Sequence, residues 1–166
     1  MTGDTTTARR RPPTAIQLTR FSRSRAINSF MISLVPAIAD HVDRCAADSG
    51  VRVLVLTGAG RAFCAGLDLR EIDSDSFAGA NAHSDPVLAL QRFPHPVIGA
   101  INGPAVTGGL ELALACDVLI AFTQARFADT HARVGVVPGW GLSQKLPRLI
   151  GIGRAKEMSF SGNFIG

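Results

Sequence analysis

The chain contains no tyrosine and a single tryptophan, and aromatic residues make up only 6% of it. Without a row of stacking rings or the spacing of a zinc finger, the sequence argues against a nucleic-acid-binding module. Cysteine is scarce as well: Cys45, Cys64 and Cys116 are odd in number, and no C-x-x-C occurs. They read as reduced, packed thiols in a reducing compartment, not as a disulfide framework. Neither they nor His41, His83, His95 and His131 cluster at ligand spacing, so no metal site is expected. There is no long unbroken hydrophobic run. The most apolar region, Val97 to Phe122, is interrupted by Asn102, Gly103, Pro104, Glu111 and Asp117, which is not a membrane span. The leader MTGDTTTARRRPPT lacks the apolar h-region of a secretory signal. A transit peptide is the alternative, but Pro12 and Pro13 oppose an amphipathic helix there. Residues 1–14 are therefore expected to be a flexible basic segment and the location cytoplasmic.

Three familiar motifs are also missing. GAGRAF at Gly58 has the first two glycines of a dinucleotide fingerprint, but Phe63 occupies the third position. Gly103 to Gly108 has the spacing of a phosphate loop, yet Gly109 and Leu110 follow where Lys and Ser or Thr are required. No G-x-S-x-G is present, so a serine nucleophile has no elbow.

What is present is 166 residues, of which 46% are hydrophobic, enough to build one core. Ala15 to Leu18, Val51 to Thr57, Val97 to Ile101 and Val118 to Ala121 read as strands, the second and third nearly all apolar and expected to be covered on both faces. Helices are expected over Ser29 to Ala47, Val87 to Arg92, from the Gly108-Gly109 pair, Leu142 to Leu149 and Arg154 to Ser159. Asp73 to Pro86 reads as a surface loop, and Gly58 to Gly60 and Pro138 to Gly141 as turns. Alternating strands and helices indicate an α/β fold with parallel pairing. The net charge of +4 comes largely from Arg9, Arg10, Arg11, Arg20, Arg23 and Arg25. It is read either as a solvated terminus or as attraction for an anionic ligand.

Two loop-to-helix junctions carry the chemistry: CAGLDL (Cys64 to Leu69) and TGGLEL (Thr107 to Leu112). First-turn amides have no partner within their helix, and glycine lets a ligand approach them. Two such amides converging would stabilise negative charge developing on a carbonyl oxygen. Glu111 would lie one turn into the second helix, where an apolar wall raises the pKa of a carboxyl and suits it to proton transfer. The alternative is a capping role, in which Glu111 accepts a bond from a first-turn amide; a capping box itself fails, because Leu110 stands three residues after Thr107.

LTGAGRAFCAGLDL (Leu56 to Leu69), PVIGAINGPAVTGGLELALACD (Pro96 to Asp117) and ARFADTHARVGVVPGWG (Ala125 to Gly141) resemble the crotonase, or enoyl-CoA hydratase/isomerase, family. The likeness runs from about Ala26 to the end. It implies a crotonase-like spiral of ββα units over residues 15–166, lacking most of the C-terminal helical region that closes the acyl pocket and supports trimers and hexamers in the family. It implies an acyl-CoA substrate in fatty-acid metabolism, coenzyme A entering as part of that substrate, and no permanently bound cofactor. The thioester oxygen would sit between the backbone N–H groups of Leu67 and Gly108. Ala62, Ala65, Gly66 and Asp68 would line the CoA side, with Gly109 and Trp140 at the substrate; Asp68 equally suits a structural hydrogen bond, and Trp140 a pocket wall or core anchor.

Family hydratases use two glutamates, one protonating the α-carbon while water attacks the β-carbon. Glu111 falls at the first position, but the second reads His131, with Asp129 as a nearby substitute acid. Histidine also moves protons near neutrality, though with different charge and reach. The expected function is thus an enoyl-CoA hydratase/isomerase with Glu111 and His131 catalytic. The alternatives are a CoA-thioester-binding or subunit-interaction protein without turnover, or a thioester hydrolase of the same fold.

Overall fold

The structure, a computed structural model, describes residues 16–21, 34–66 and 85–166. The basic segment 1–14, Leu67, Asp68 and most of the expected polar loop lie outside the described residues.

Four strands, β1 (Ile16–Phe21), β2 (Val53–Gly58), β3 (Val97–Ile101) and β5 (Val118–Ala121), form one parallel sheet in the order β1-β2-β3-β5. Its register pairs Ile16 with Val53, Leu54 with Val97 and Ile98 with Val118. Two-residue strands β4 (Ala105–Val106) and β6 (Phe127–Ala128) make a second parallel pair. Between them run helices α1 (Leu34–Ala47), α2 (Pro86–Arg92), α3 (Gly108–Ala113), α4 (His131–Val134), α5 (Leu142–Ile150) and α6 (Ile152–Ser161).

The stripe Ile38, Val42 and Cys45 of α1, at helical spacing, packs with Val87 and Leu90 of α2 against Leu54, Leu56, Val97 and Ile101 of the sheet. Asp85 begins α2 by accepting bonds from Val87 and Leu88 N–H, with Pro86 at the first helical position, where a missing N–H costs nothing. A second cluster, Leu110, Leu142, Leu146, Ala155 and Met158, joins α3 to α5 and α6.

Several expectations need adjustment. Pro86 belongs to α2, not to the preceding loop; α6 begins two residues earlier than expected, directly after Gly151, whose φ of +83° separates it from α5. The strands are not covered on both faces: burial alternates along β2 and β3, and all four residues of β5 are exposed, because among the described residues nothing packs on that side. β1 is longer than expected and turned inside out, with Gln17 and Thr19 buried and Ile16 and Leu18 exposed. The Thr19 hydroxyl is satisfied by His41 Nε2 of α1 at 3.1 Å, which makes that polarity tolerable. β4, β6 and α4 were not expected, since elements of two to four residues carry no periodicity.

Candidate active site

The two glycine junctions are held together by backbone and by one side chain. Phe63 and Cys64 N–H both donate to Pro104 O, and Val106 N–H donates to Cys64 O. Asn102 closes the other end: its Oδ1 accepts from Gly58 N–H and the Thr57 hydroxyl, and its Nδ2 donates to Gly60 O and Ala62 O. The side chain thereby pins the whole loop after β2 against the chain leading into α3.

The glycines divide into two kinds. A Cβ on Gly109 would sit 2.2 Å from Cys64 O, so its missing side chain lets the junctions touch. Gly66, at φ +91°, and Gly108 meet directly: a Cβ on Gly66 would be 3.7 Å from Gly108 N, and one on Gly108 would be 4.0 Å from Gly66 Cα and 3.1 Å from the Trp140 ring. Gly66 is the residue before Leu67, which lies outside the described residues with Asp68. Ala62 is buried and engages Asn102 through its carbonyl, while Ala65 is half-buried. Thr107, just before Gly108, has φ +54° and ψ −114°, a strained conformation for a β-branched residue. Its hydroxyl pairs with that of Thr130 and its N–H donates to Ala128 O, tying the start of α3 to the segment that carries His131.

Glu111 is 2% exposed. Its Oε1 accepts from Trp140 N–H at 2.8 Å and Leu142 N–H at 3.1 Å. The alternative, a capping bond to its own helix, is not what forms: the carboxylate accepts across the fold, at the start of α5. Oε2 faces His131 Nε2 at 3.7 Å. The histidine is buried, and its Nδ1 lies 2.7 Å from Asp129 Oδ1, whose other oxygen accepts from the Ser159 hydroxyl at 2.6 Å. Glu111, His131, Asp129 and Ser159 form a chain from the α3 helix to α6. Asp129, the nearby substitute acid of the sequence, lies against Nδ1 of His131, while Glu111 faces Nε2. The Asp-x-His spacing, which the sequence analysis did not use, is a local signal that could have found this pair, whereas Ser159, thirty residues away, had none.

Burial pushes the Glu111 carboxyl up, against the opposing pull of the Leu142 and Trp140 amides and of His131. Burial acts in the same sense on Asp129, but hydrogen bonds from His131 and Ser159 outweigh it, and its carboxyl is held below the usual range. The site therefore contains two carboxyls driven in opposite directions on either side of one imidazole. The thiols of Cys64 and Cys116 are pushed up to about 12 by burial and are not nucleophiles. Among the described residues no group of His, Cys, Asp and Glu could hold a metal, and no helix is long and apolar enough to cross a membrane.

Residues 12–166 match the sequence profile of the enoyl-CoA hydratase/isomerase family. The chain belongs to the enoyl-CoA hydratase/isomerase family. The "Probable enoyl-CoA hydratase 1, peroxisomal" of Arabidopsis thaliana is 44% identical to this family member over 148 residues, covering 88% of the chain and 56% of the relative. The "Probable enoyl-CoA hydratase" of Bacillus subtilis is 36% identical over 81% of the chain and 54% of its own length. A crystal structure of an enoyl-CoA hydratase from Mycobacterium avium superposes with a TM-score of 0.83 at 41% identity, covering 96% of the chain and 66% of that structure. The chain thus spans about half the length of the curated relatives it matches. The fold is the crotonase fold of these hydratases.

Proposed function

We propose that the chain processes acyl-CoA thioesters as an enoyl-CoA hydratase/isomerase, with Glu111 and His131 as the acid–base pair and the Leu67 and Gly108 amides as oxyanion donors. The observation that carries this reading is the buried Glu111 carboxylate facing His131 Nε2, one turn along α3 from Gly108.

The chemistry follows from the two environments. Asp129 at Nδ1 favours the tautomer with the proton there, leaving the Nε2 lone pair toward Glu111. His131 then takes a proton from water as its oxygen bonds to the β-carbon. The electron pair of the double bond moves through the α-carbon to the thioester oxygen, where backbone amides stabilise it. Glu111, whose burial raises its pKa and so favours the protonated form, delivers its proton to the α-carbon as the enolate collapses. Imidazolium and carboxylate are left 3.7 Å apart, and a small closing of that gap, or one bridging water, returns the proton and resets the pair. In isomerisation the same groups would move a proton along the acyl chain without adding water. A cytoplasmic location goes with this reading, since the three free thiols suit a reducing compartment.

Crotonyl-CoA hydration, followed by loss of its ultraviolet absorbance, tests the proposal: turnover by wild type and its collapse in Glu111→Gln support it, and inert wild type refutes it. The Asp129–His131 pair favours one second reading, thioester hydrolysis, since an aspartate-held histidine activates water for acyl attack as well as for addition. Release of free thiol from a saturated acyl-CoA distinguishes the two.

A further inference from the structure

Beside the acid–base pair lies a cleft of about 330 Å³, lined by Asp85, Val87, Leu88, Trp140, Gln144 and Lys145 among others. Trp140 is common to both places: its ring stands over Gly108 and its N–H holds Glu111. The cleft therefore opens where the reacting carbons would end.

Lys145 has no role in the chemistry described above, and its surroundings are unusual. Its Nζ is covered from solvent, yet has no hydrogen-bond partner among the described residues. The stem leans back toward the start of α5, with Cε 3.9 Å from the position of a Cβ on Gly141. Cys116, Glu111 and Asp85 lie near enough to favour its charged form, but among the described residues none of them accepts a hydrogen bond from it. Asp85 uses Oδ1 to cap α2, Glu111 uses Oε1 on Trp140 and Leu142, and Cys116 is held as a neutral thiol by a pKa near 12. Among the described residues no ion pair reaches Lys145, and burial pulls its pKa down. A buried cation without a partner is disfavoured unless something supplies one.

We propose that the Lys145 ammonium is the counter-ion for a carboxylate at the far end of the acyl group, so that the cleft selects ω-carboxylated enoyl-CoA substrates over methyl-ended ones. The inference rests on the acyl-CoA reading of the site. The spacing is suitable: Lys145 lies three residues beyond Leu142, about 4.5 Å of helix rise, and its stem turns back toward Gly141 at the start of α5. A carboxylate a few carbons beyond the double bond spans that interval. Val87, Leu88 and Trp140 would cover the intervening methylenes.

The test compares 5-carboxypent-2-enoyl-CoA with hex-2-enoyl-CoA, which has the same carbon count, on wild type, Lys145→Met and Lys145→Gln. Wild type is expected to favour the carboxylated substrate about tenfold or more in kcat/KM, as for one charged hydrogen bond. Both variants should abolish or reverse that ratio. Hydration with a ratio indifferent to Lys145 overturns the inference and leaves the function standing. If neither substrate is hydrated, the functional reading fails, and calorimetric binding of 5-carboxypentanoyl-CoA against hexanoyl-CoA decides the inference alone. Tighter, Lys145-dependent binding of the first supports it, and equal binding overturns it. Should both variants fail to fold, the wild-type ratio decides: a preference that weakens with added salt supports the inference, and no preference refutes it.

Discussion

The Glu111 carboxylate faces Nε2 of His131 at 3.7 Å, and each is fixed from behind by a different part of the chain: Glu111 by the amides of Trp140 and Leu142, His131 by Asp129. These hydrogen bonds hold the two side chains facing one another.

Glu111→Gln keeps an oxygen for the two amides but removes the titrating group. Its kcat should fall roughly 10²- to 10⁴-fold with little change in thermal stability. Glu111→Ala should add a loss of about 1–3 kcal/mol, because two buried N–H groups lose their acceptor. Thermal melts of the two variants side by side check the separation.

Asp129 and Glu111 should leave opposite marks on the pH dependence of stability. The folded pKa of Asp129 lies below its unfolded value of 3.8, so its contribution is present above that pH and is lost as pH falls through the folded value. Glu111 lies above its unfolded value of 4.5, so the native state binds the extra proton and stability declines as pH rises from there through the raised value. Urea unfolding across the acid range should show Asp129→Asn losing the acid limb and Glu111→Gln losing the decline. In activity, Asp129→Asn should shift the pH profile as well as lower kcat, which a merely structural role would not do.

Gly109→Ala should destabilise by about 1–3 kcal/mol or prevent folding, since its Cβ collides with the Cys64 carbonyl. Gly139→Ala meets nothing within 4 Å and should be tolerated. Denaturant midpoints of the two give the comparison.

Asn102→Leu removes four hydrogen bonds at once and leaves Gly58 N–H without its acceptor. A cost of about 1–3 kcal/mol is expected for that group alone. Amide exchange should quicken in residues 58–64 before it does in α1.

Lys145→Met replaces an ammonium that is covered from solvent, with no hydrogen-bond partner among the described residues, by an apolar side chain of similar length. The melting temperature should rise, by about 2–4 °C for each kcal/mol gained in a chain of this size. A fall would show that the ammonium has a partner in the folded protein.

Much of the site was legible in one dimension because its chemistry is local. The paired glycines before Leu110 and the lone acid in an apolar helix are each contained in a few residues, and each implies a backbone geometry or a protonation behaviour by itself. The long apolar strands were legible for the same reason, while β4, β6 and α4 were too short to show a period.

Tertiary structure alone decided what those groups are paired with. Nothing near Glu111 in sequence announces that its carboxylate will cap α5 and not α3, that Ser159 will complete the Asp129 bonds, or that Asn102 will span the loop after β2. These are contacts between residues tens of positions apart, made when separate elements close on one another. The sequence determined which groups can titrate and where the backbone can be approached; packing determined how each is desolvated and which hydrogen bonds it receives, and those two quantities set its pKa.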